Sequence, residues 1–120
     1  MFLSYLLFLE GGRHMLERKF QANIIRKLKS LFPGCLVLKN DAGYLQGIPD
    51  LLILYKNKWA ALECKKSVES SVQPNQQHYI DQLDAMSYAA FICPESKQEV
   101  LDELQHVLKP RRSTRVPVAK

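Results

Sequence analysis

Residues 47–65 have the sequence GIPDLLILYKNKWAALECK, and this stretch gives the clearest indication of the fold. Residues 51–55 and 59–64 are two runs of β-forming residues, and the polar segment 56–58 between them has the length of a hairpin connection. Pro49 comes directly before the first run, where a proline is tolerated because it lies at the start of a strand. The stretch therefore predicts two adjacent antiparallel strands.

The chain before this hairpin predicts one helix and a further strand. Apolar residues recur at helical spacing from residue 16, and the segment FPG at residues 32–34 ends the pattern. Residues 35–39 are rich in strand formers, and residues 40–47 form a polar, glycine-containing loop of the kind that carries function on a rigid scaffold. The predicted apolar helix face comprises Leu16, Phe20, Ile24, Leu28 and Leu31.

The chain after the hairpin predicts a helix, a strand and a final helix. Pro74 is placed to open the first helix, residues 88–93 form the strand, and a capping box over residues 96–99 begins the last helix, which Pro110 ends. The order αβββαβα predicts an α/β protein whose mixed central sheet is flanked by helices and whose third and fourth strands are parallel. The predicted inward faces comprise Gln76, Tyr79, Ile80, Leu83 and Met86, then Val100, Leu101, Leu104, Val107 and Leu108.

The charge of the chain is concentrated at one end. A length of 120 residues and a hydrophobic content of 47% suit one domain with its own core. Five of the 17 basic residues and none of the 12 acidic residues lie in residues 109–120, so the remainder is neutral. We expect this basic tail to be disordered, and its interpretation stays open between sequence-independent phosphate contact and a solubilising end.

Residues 1–14 are apolar but too short to span a bilayer, and they carry no positively charged region typical of a signal peptide. The codons of Glu10-Gly11-Gly12 can contain a purine-rich ribosome-binding sequence shortly before Met15. One hypothesis is therefore a translated leader in a bacterial or phage gene, with Met15 as the natural start. The other is a hydrophobic strand or arm packed on the domain.

The cysteine and histidine patterns argue against two kinds of site. Cys35, Cys64 and Cys93 stand alone in apolar runs, without a neighbouring cysteine or histidine at metal-binding spacing. The three histidines are scattered and do not form a pair on one helix face. We interpret the cysteines as buried, reduced thiols of a cytosolic protein, without a disulfide framework or a zinc site.

A group of charged residues lies where the two hairpin strands begin and end. Side chains alternate along a strand, so Ala61, Glu63 and Lys65 share one face, and the hairpin is expected to bring Asp50 near Lys65 in register. Asp50 and Glu63 supply the oxygen ligands that hard cations need in phosphodiester hydrolysis, and the backbone carbonyl of Cys64 is a plausible third ligand. Lys65 would orient or deprotonate the attacking water, or stabilise the oxyanion.

Three elements of the sequence resemble the PD-(D/E)XK nuclease superfamily, and within it the small VRR-NUC and Holliday junction resolvase-like domains. They are the GIPD segment ending at Asp50, the Glu63-Cys64-Lys65 segment, and Gln76 at the head of the following helix. The resemblance covers roughly residues 16–108 and implies a restriction-endonuclease-like core, with a nuclease domain over residues 15–108. It also implies Mg²⁺ or Mn²⁺ bound by Asp50 and Glu63.

The resemblance further assigns roles to two helical residues. Gln76 would position the lysine or the water, and Glu17 on the first helix would assist the metal. Gln76 also lies on an apolar helix face, where its amide needs a partner, although a capping role and the neighbouring Gln73 and Gln77 remain alternatives. Glu17 has the alternative of a solvated acid favoured by the helix dipole.

The favoured function is a metal-dependent DNA endonuclease, and by resemblance its substrate is branched, flapped or junction DNA. Loop residues Tyr44 and Gln46 are candidates for DNA contact, with surface packing as the alternative for Tyr44, and the tail would add phosphate affinity through Arg111, Arg112 and Arg115. A homodimer, or a helicase or recombination partner, fits such a domain in the cytoplasm of a bacterium or a phage-infected cell, without a membrane. The competing function is a non-catalytic nucleic-acid-binding or assembly module on the same fold.

Overall fold

A computed structural model describes residues 2–41 and 43–110, and the side chains among them from Leu16 onward. It confirms the order αβββαβα, with a short 3₁₀ turn before the last helix. The helices are α1 (Phe2–Leu31), α2 (Pro74–Met86) and α3 (Lys97–Leu108). The strands are β1 (Leu36–Lys39), β2 (Leu51–Tyr55), β3 (Lys58–Cys64) and β4 (Ala89–Ile92), and the 3₁₀ turn is Pro94–Ser96.

The four strands form one mixed sheet in the order β1-β2-β3-β4. The first three strands pair antiparallel, whereas β4 lies parallel to β3 and is reached through α2. This is the mixed α/β architecture that the sequence predicts, because a parallel pair needs a long crossover connection. The catalytic candidates lie where β2 begins and β3 ends.

The two faces of the sheet are covered by different helices. On one face, Leu62 and Cys64 join a core with α1 and α3, in which Ile24 and Leu104 are fully buried. On the other face, Ala61 packs with Ile80 of α2. The sheet is therefore a layer between helices, and α2 is the helix on the side of Glu63.

Several details differ from the sequence prediction. The helix α1 begins at Phe2 rather than near Leu16, and the Leu16 side chain is 59% exposed. Met86 is the last residue of α2, and its side chain is 62% exposed because it lies beyond the part of the helix that packs on the sheet. Cys35 is only partly buried, whereas Cys64 and Cys93 are buried as predicted, and all three thiols are free.

The predicted capping box before α3 does not form. The hydroxyl of Ser96 accepts a hydrogen bond from the backbone N–H of Cys93 at 3.1 Å, which closes the 3₁₀ turn. The same hydroxyl makes no capping hydrogen bond to the helix that follows. Ser96 therefore belongs to the 3₁₀ turn and does not cap α3 as the sequence predicts.

Arg111, Arg112 and Arg115, the predicted phosphate contacts of the tail, lie outside the described residues. Within the described part of the chain, none of the helices combines the length and apolarity that crossing a membrane requires.

Gly47 provides a test of how the loop before β2 is held. Its φ is +93°, and a Cβ there would lie 2.5 Å from the Cβ of Asn75, whereas Gly34 has a φ of +89° and no described atom within 4 Å of such a Cβ. We expect Gly34→Ala to cost about 1 kcal/mol of unfolding free energy from backbone conformation alone. Gly47→Ala should cost more, because the loop must also move away from α2. Urea denaturation measures both, and an equal loss would contradict this account.

Candidate active site

Asp50 and Glu63 lie opposite each other at one end of the β2–β3 pair. Leu51 pairs with Leu62, so the next pair toward this end of the strands is Asp50 and Glu63. The backbone N–H of Asp50 donates to Oε1 of Glu63 at 3.1 Å. In the same way, the backbone N–H of Cys64 donates to Oδ2 of Asp50 at 3.1 Å. Each carboxylate is therefore held by the backbone of the strand that carries the other.

This register corrects the prediction that Asp50 lies in register near Lys65. Tyr55 pairs with Lys58, so the connection is a two-residue turn, and Lys56 within it has a φ of 57°. A two-residue turn with positive φ matches the twist of a tight hairpin. The shorter turn brings Asp50 against Glu63 instead.

Gln76 joins Glu63 to Lys65. Its Nε2 donates to Oε2 of Glu63 at 3.1 Å, and its Oε1 accepts from Nζ of Lys65 at 2.8 Å. The backbone N–H of Gln73 also donates to this Oε1 at 3.1 Å, which fixes the orientation of the amide. This contact with the N–H of Gln73 is the capping role given above as an alternative, and Gln76 makes it together with its contacts to Glu63 and Lys65. The neighbouring Gln77 turns instead to Asp81.

Lys65 is held by a second acceptor as well. Its Nζ donates to the carbonyl oxygen of Ser71 at 3.0 Å, in the loop between β3 and α2. An ammonium group has three N–H donors, and the contacts to Gln76 and Ser71 use two of them. The third is left for a water or a phosphate oxygen.

Burial raises the pKa values of both acids. The Glu63 side chain is only 6% exposed, and burial, followed by the nearby charge of Asp50, raises its pKa to about 7. Burial also raises the pKa of Asp50, against the opposing effect of the Cys64 N–H. A buried and a half-buried carboxyl that are neighbours and have raised pKa values form a site that a bound cation would stabilise.

The helix α1 supplies the other side of the acid pair. A cavity beside Asp50 and Cys64 is lined by Glu17, Arg18 and Gln21. The charge of Glu17 contributes to the raised pKa values of Asp50 and Glu63, so this predicted site residue does lie near them. Gln21 was not predicted, although its position four residues after Glu17 places both on one helix face.

The donor set fits a hard cation better than a soft one. Burial and the neighbouring acids raise the pKa of the Cys64 thiol, which keeps its sulfur protonated and leaves the oxygens of Asp50 and Glu63 as the anionic donors. Within residues 16–110, no three His, Cys, Asp or Glu side chains are grouped as metal ligands. Glu17 thus does not complete a three-carboxylate cluster, and a cation here would need backbone and water oxygens as further ligands.

The two predicted DNA-contacting loop residues are both exposed. Tyr44 is 89% exposed, and Gln46 lines a groove together with the N-terminal turn of α2. A second cavity is lined by Lys65 itself and by Glu17, Lys66, Ser67, Glu69, Ser70 and Ser71. The catalytic candidates therefore border two cavities: Gln76 lines a polar, uncharged groove, and Lys65 lines a cavity with two lysines and two glutamates.

The raised pKa of Glu63 predicts how stability depends on pH without added metal. The folded state binds the proton more tightly than the unfolded state, so stability is greatest below about pH 4.5 and falls as the pH rises to about 7, by on the order of 3 kcal/mol. Glu63→Gln should flatten this part of the profile, whereas Glu95→Gln, at an exposed residue outside the site, should leave it unchanged. Denaturant unfolding between pH 5 and pH 8 measures the effect, and identical profiles for wild type and Glu63→Gln would contradict it.

No protein-family model, curated protein or solved structure matches this chain. The arrangement of Asp50, Glu63, Lys65 and Gln76 is therefore the basis on which a function is assigned.

Proposed function

We propose that this protein is a metal-dependent DNA endonuclease that hydrolyses phosphodiester bonds. The observation that carries the proposal is a single chain of hydrogen bonds that links Asp50, Glu63, Gln76 and Lys65. Two acids, an amide and an ammonium group in this order combine the functions that phosphoryl hydrolysis needs, namely cation binding and stabilisation of developing negative charge.

The fold supports the same assignment at a finer level. Asp50 precedes β2, Glu63 lies near the end of β3, and Gln76 lies in the first turn of α2, within the order αβββαβα. This is the placement that the resemblance to the PD-(D/E)XK superfamily implies. A restriction-endonuclease-like core therefore forms part of the proposal.

Asp50, Glu63 and the backbone carbonyl of Cys64 would hold Mg²⁺ or Mn²⁺. Such an ion polarises a phosphoryl oxygen and lowers the pKa of bound water. Glu63 contributes its charge once it is deprotonated, and the N–H donors of Asp50 and Gln76 hold its two oxygens in place. These contacts keep the acid pair together in the absence of a cation.

Lys65 and Gln76 have different roles in the proposed reaction. Lys65 directs its remaining N–H to the attacking water or to a non-bridging phosphate oxygen, where negative charge develops as the bond to the leaving oxygen breaks. Gln76 is a positioning residue, because it touches Glu63 and Lys65 and acts through them. The resemblance extends the proposal to branched, flapped or junction DNA and to a homodimer, or a helicase or recombination partner.

Isosteric substitution of the acids tests the activity. Asp50→Asn and Glu63→Gln should reduce metal-dependent cleavage of labelled single-stranded, duplex, flapped and four-way-junction DNA to background, because each removes an anionic oxygen donor. Glu95→Gln, at an exposed residue outside the site, should cleave like wild type. Circular dichroism confirms folding of each variant. Wild-type binding without cleavage in Mg²⁺ or Mn²⁺ would instead favour the non-catalytic binding module.

Gln76 and Gln77 form a matched pair of neighbouring amides. Gln76→Ala should lower kcat about 10- to 100-fold with a smaller effect on KM, because Lys65 and Glu63 lose their common partner. The acidic limb of the pH–rate profile should also move to higher pH, since Gln76 donates to the Glu63 carboxylate and its loss raises that pKa further. Gln77→Ala should change neither quantity, and equal effects from the two variants would show that Gln76 has no positioning role.

A further inference from the structure

A groove next to the catalytic network is lined by six residues, four of which have amide side chains. It lies between the loop that precedes β2 and the first turn of α2, and its volume is about 450 Å³. The described residues that line it carry no charge. They are Gln46, Gly47, Gln73, Pro74, Asn75 and Gln76.

The two walls of the groove are fixed against each other. Gly47 packs so closely against α2 that there is no room for a side chain at this position. A Cβ there would lie 2.5 Å from the Cβ of Asn75 and 2.9 Å from the backbone carbonyl carbon of Asn75. The loop is also closed by a hydrogen bond from the backbone N–H of Ile48 to the carbonyl of Leu45 at 3.2 Å. The groove is therefore formed before any ligand binds.

Gln76 connects this groove to the catalytic network. The same side chain that lines the groove contacts the carboxylate of Glu63 and the ammonium group of Lys65. A ligand in the groove would thus lie one side chain away from the reacting phosphate. In a nucleic-acid substrate, the group that lies next to the reacting phosphate is a neighbouring nucleotide.

The lining chemistry distinguishes a base from a phosphate. Asparagine and glutamine amides offer a donor and an acceptor side by side, which is the pattern that pairs with the edge of a nucleobase. Phosphate contacts need positive charge, which the residues lining this groove do not supply, whereas a different cavity is lined by Lys65 and Lys66 together with two glutamates and three serines. The uncharged groove therefore suits a base better than a phosphate.

We propose, on the basis of the nuclease function above, that the groove binds one unpaired nucleobase of the DNA strand being cut. Gln46 and Asn75, both exposed on opposite walls, contact its hydrogen-bonding edge. A base enters a concave site only when it leaves the stack of the duplex, so the substrate carries an unpaired nucleotide beside the cleaved bond. Tyr44, two residues before Gln46 and 89% exposed, offers a ring on which a further base stacks.

The test measures binding separately from cleavage. A labelled flapped DNA is prepared in versions that each lack one base of the single strand, and binding to the full-length protein is followed by fluorescence anisotropy in Ca²⁺. We expect one position at which loss of the base weakens wild-type binding by about 5- to 100-fold. The double variant Gln46→Ala/Asn75→Ala should bind intact DNA more weakly and lose this dependence. Gln82→Ala, which removes an exposed amide on the same helix outside the groove, should behave like wild type.

The outcomes separate the groove from the catalytic function. Wild-type binding that is equal for every abasic version, or base dependence that survives in the double variant, overturns the groove proposal even if the DNA is cut in Mg²⁺. Base-dependent binding that the double variant loses supports the groove. If the same protein cuts none of these DNAs in Mg²⁺ or Mn²⁺, that result counts against the endonuclease and not against the groove.

Discussion

The register between β2 and β3 is the constraint on which the rest of the site depends. The pairing Leu51↔Leu62 sets Asp50 against Glu63, and the two backbone N–H donors that follow from it hold both carboxylates at the end of the sheet. A shift by one residue would turn every side chain of β3 to the opposite face. Leu62 would then leave the core, so hydrophobic burial maintains the position of the acids.

The site combines this rigid pair with groups that arrive from two helices. Gln76 of α2 approaches from one face of the sheet, and Glu17 and Gln21 of α1 line the cavity beside Asp50. Burial makes both acids harder to ionise, which destabilises the folded chain near neutral pH. An arrangement that costs stability although both carboxylates accept hydrogen bonds is characteristic of functional sites, where charge is held ready for a ligand.

Much of this organisation is readable from the sequence because it depends on short-range patterns. The hairpin follows from two β-forming runs, and Gln76 follows from the spacing of an amide along an apolar helix face. What the sequence does not determine is the length of the tight turn, since the predicted connection of three residues is a turn of two. That difference of one residue moves the strand partner of Asp50 from Cys64 to Glu63. Gln21 was missed for a similar reason, because its role depends on where α1 crosses the sheet.

If Asp50 and Glu63 together form a cation site, cation binding depends on both carboxylates. Titration of the protein with Mn²⁺, followed by the loss of the free-ion signal in electron paramagnetic resonance, tests it without any assumption about substrate. This account predicts saturable Mn²⁺ binding by wild type that Mg²⁺ displaces and that is lost in Asp50→Asn and in Glu63→Gln, while Glu95→Gln binds as wild type does. Binding that persists unchanged in both site variants, or no binding by wild type, would contradict it.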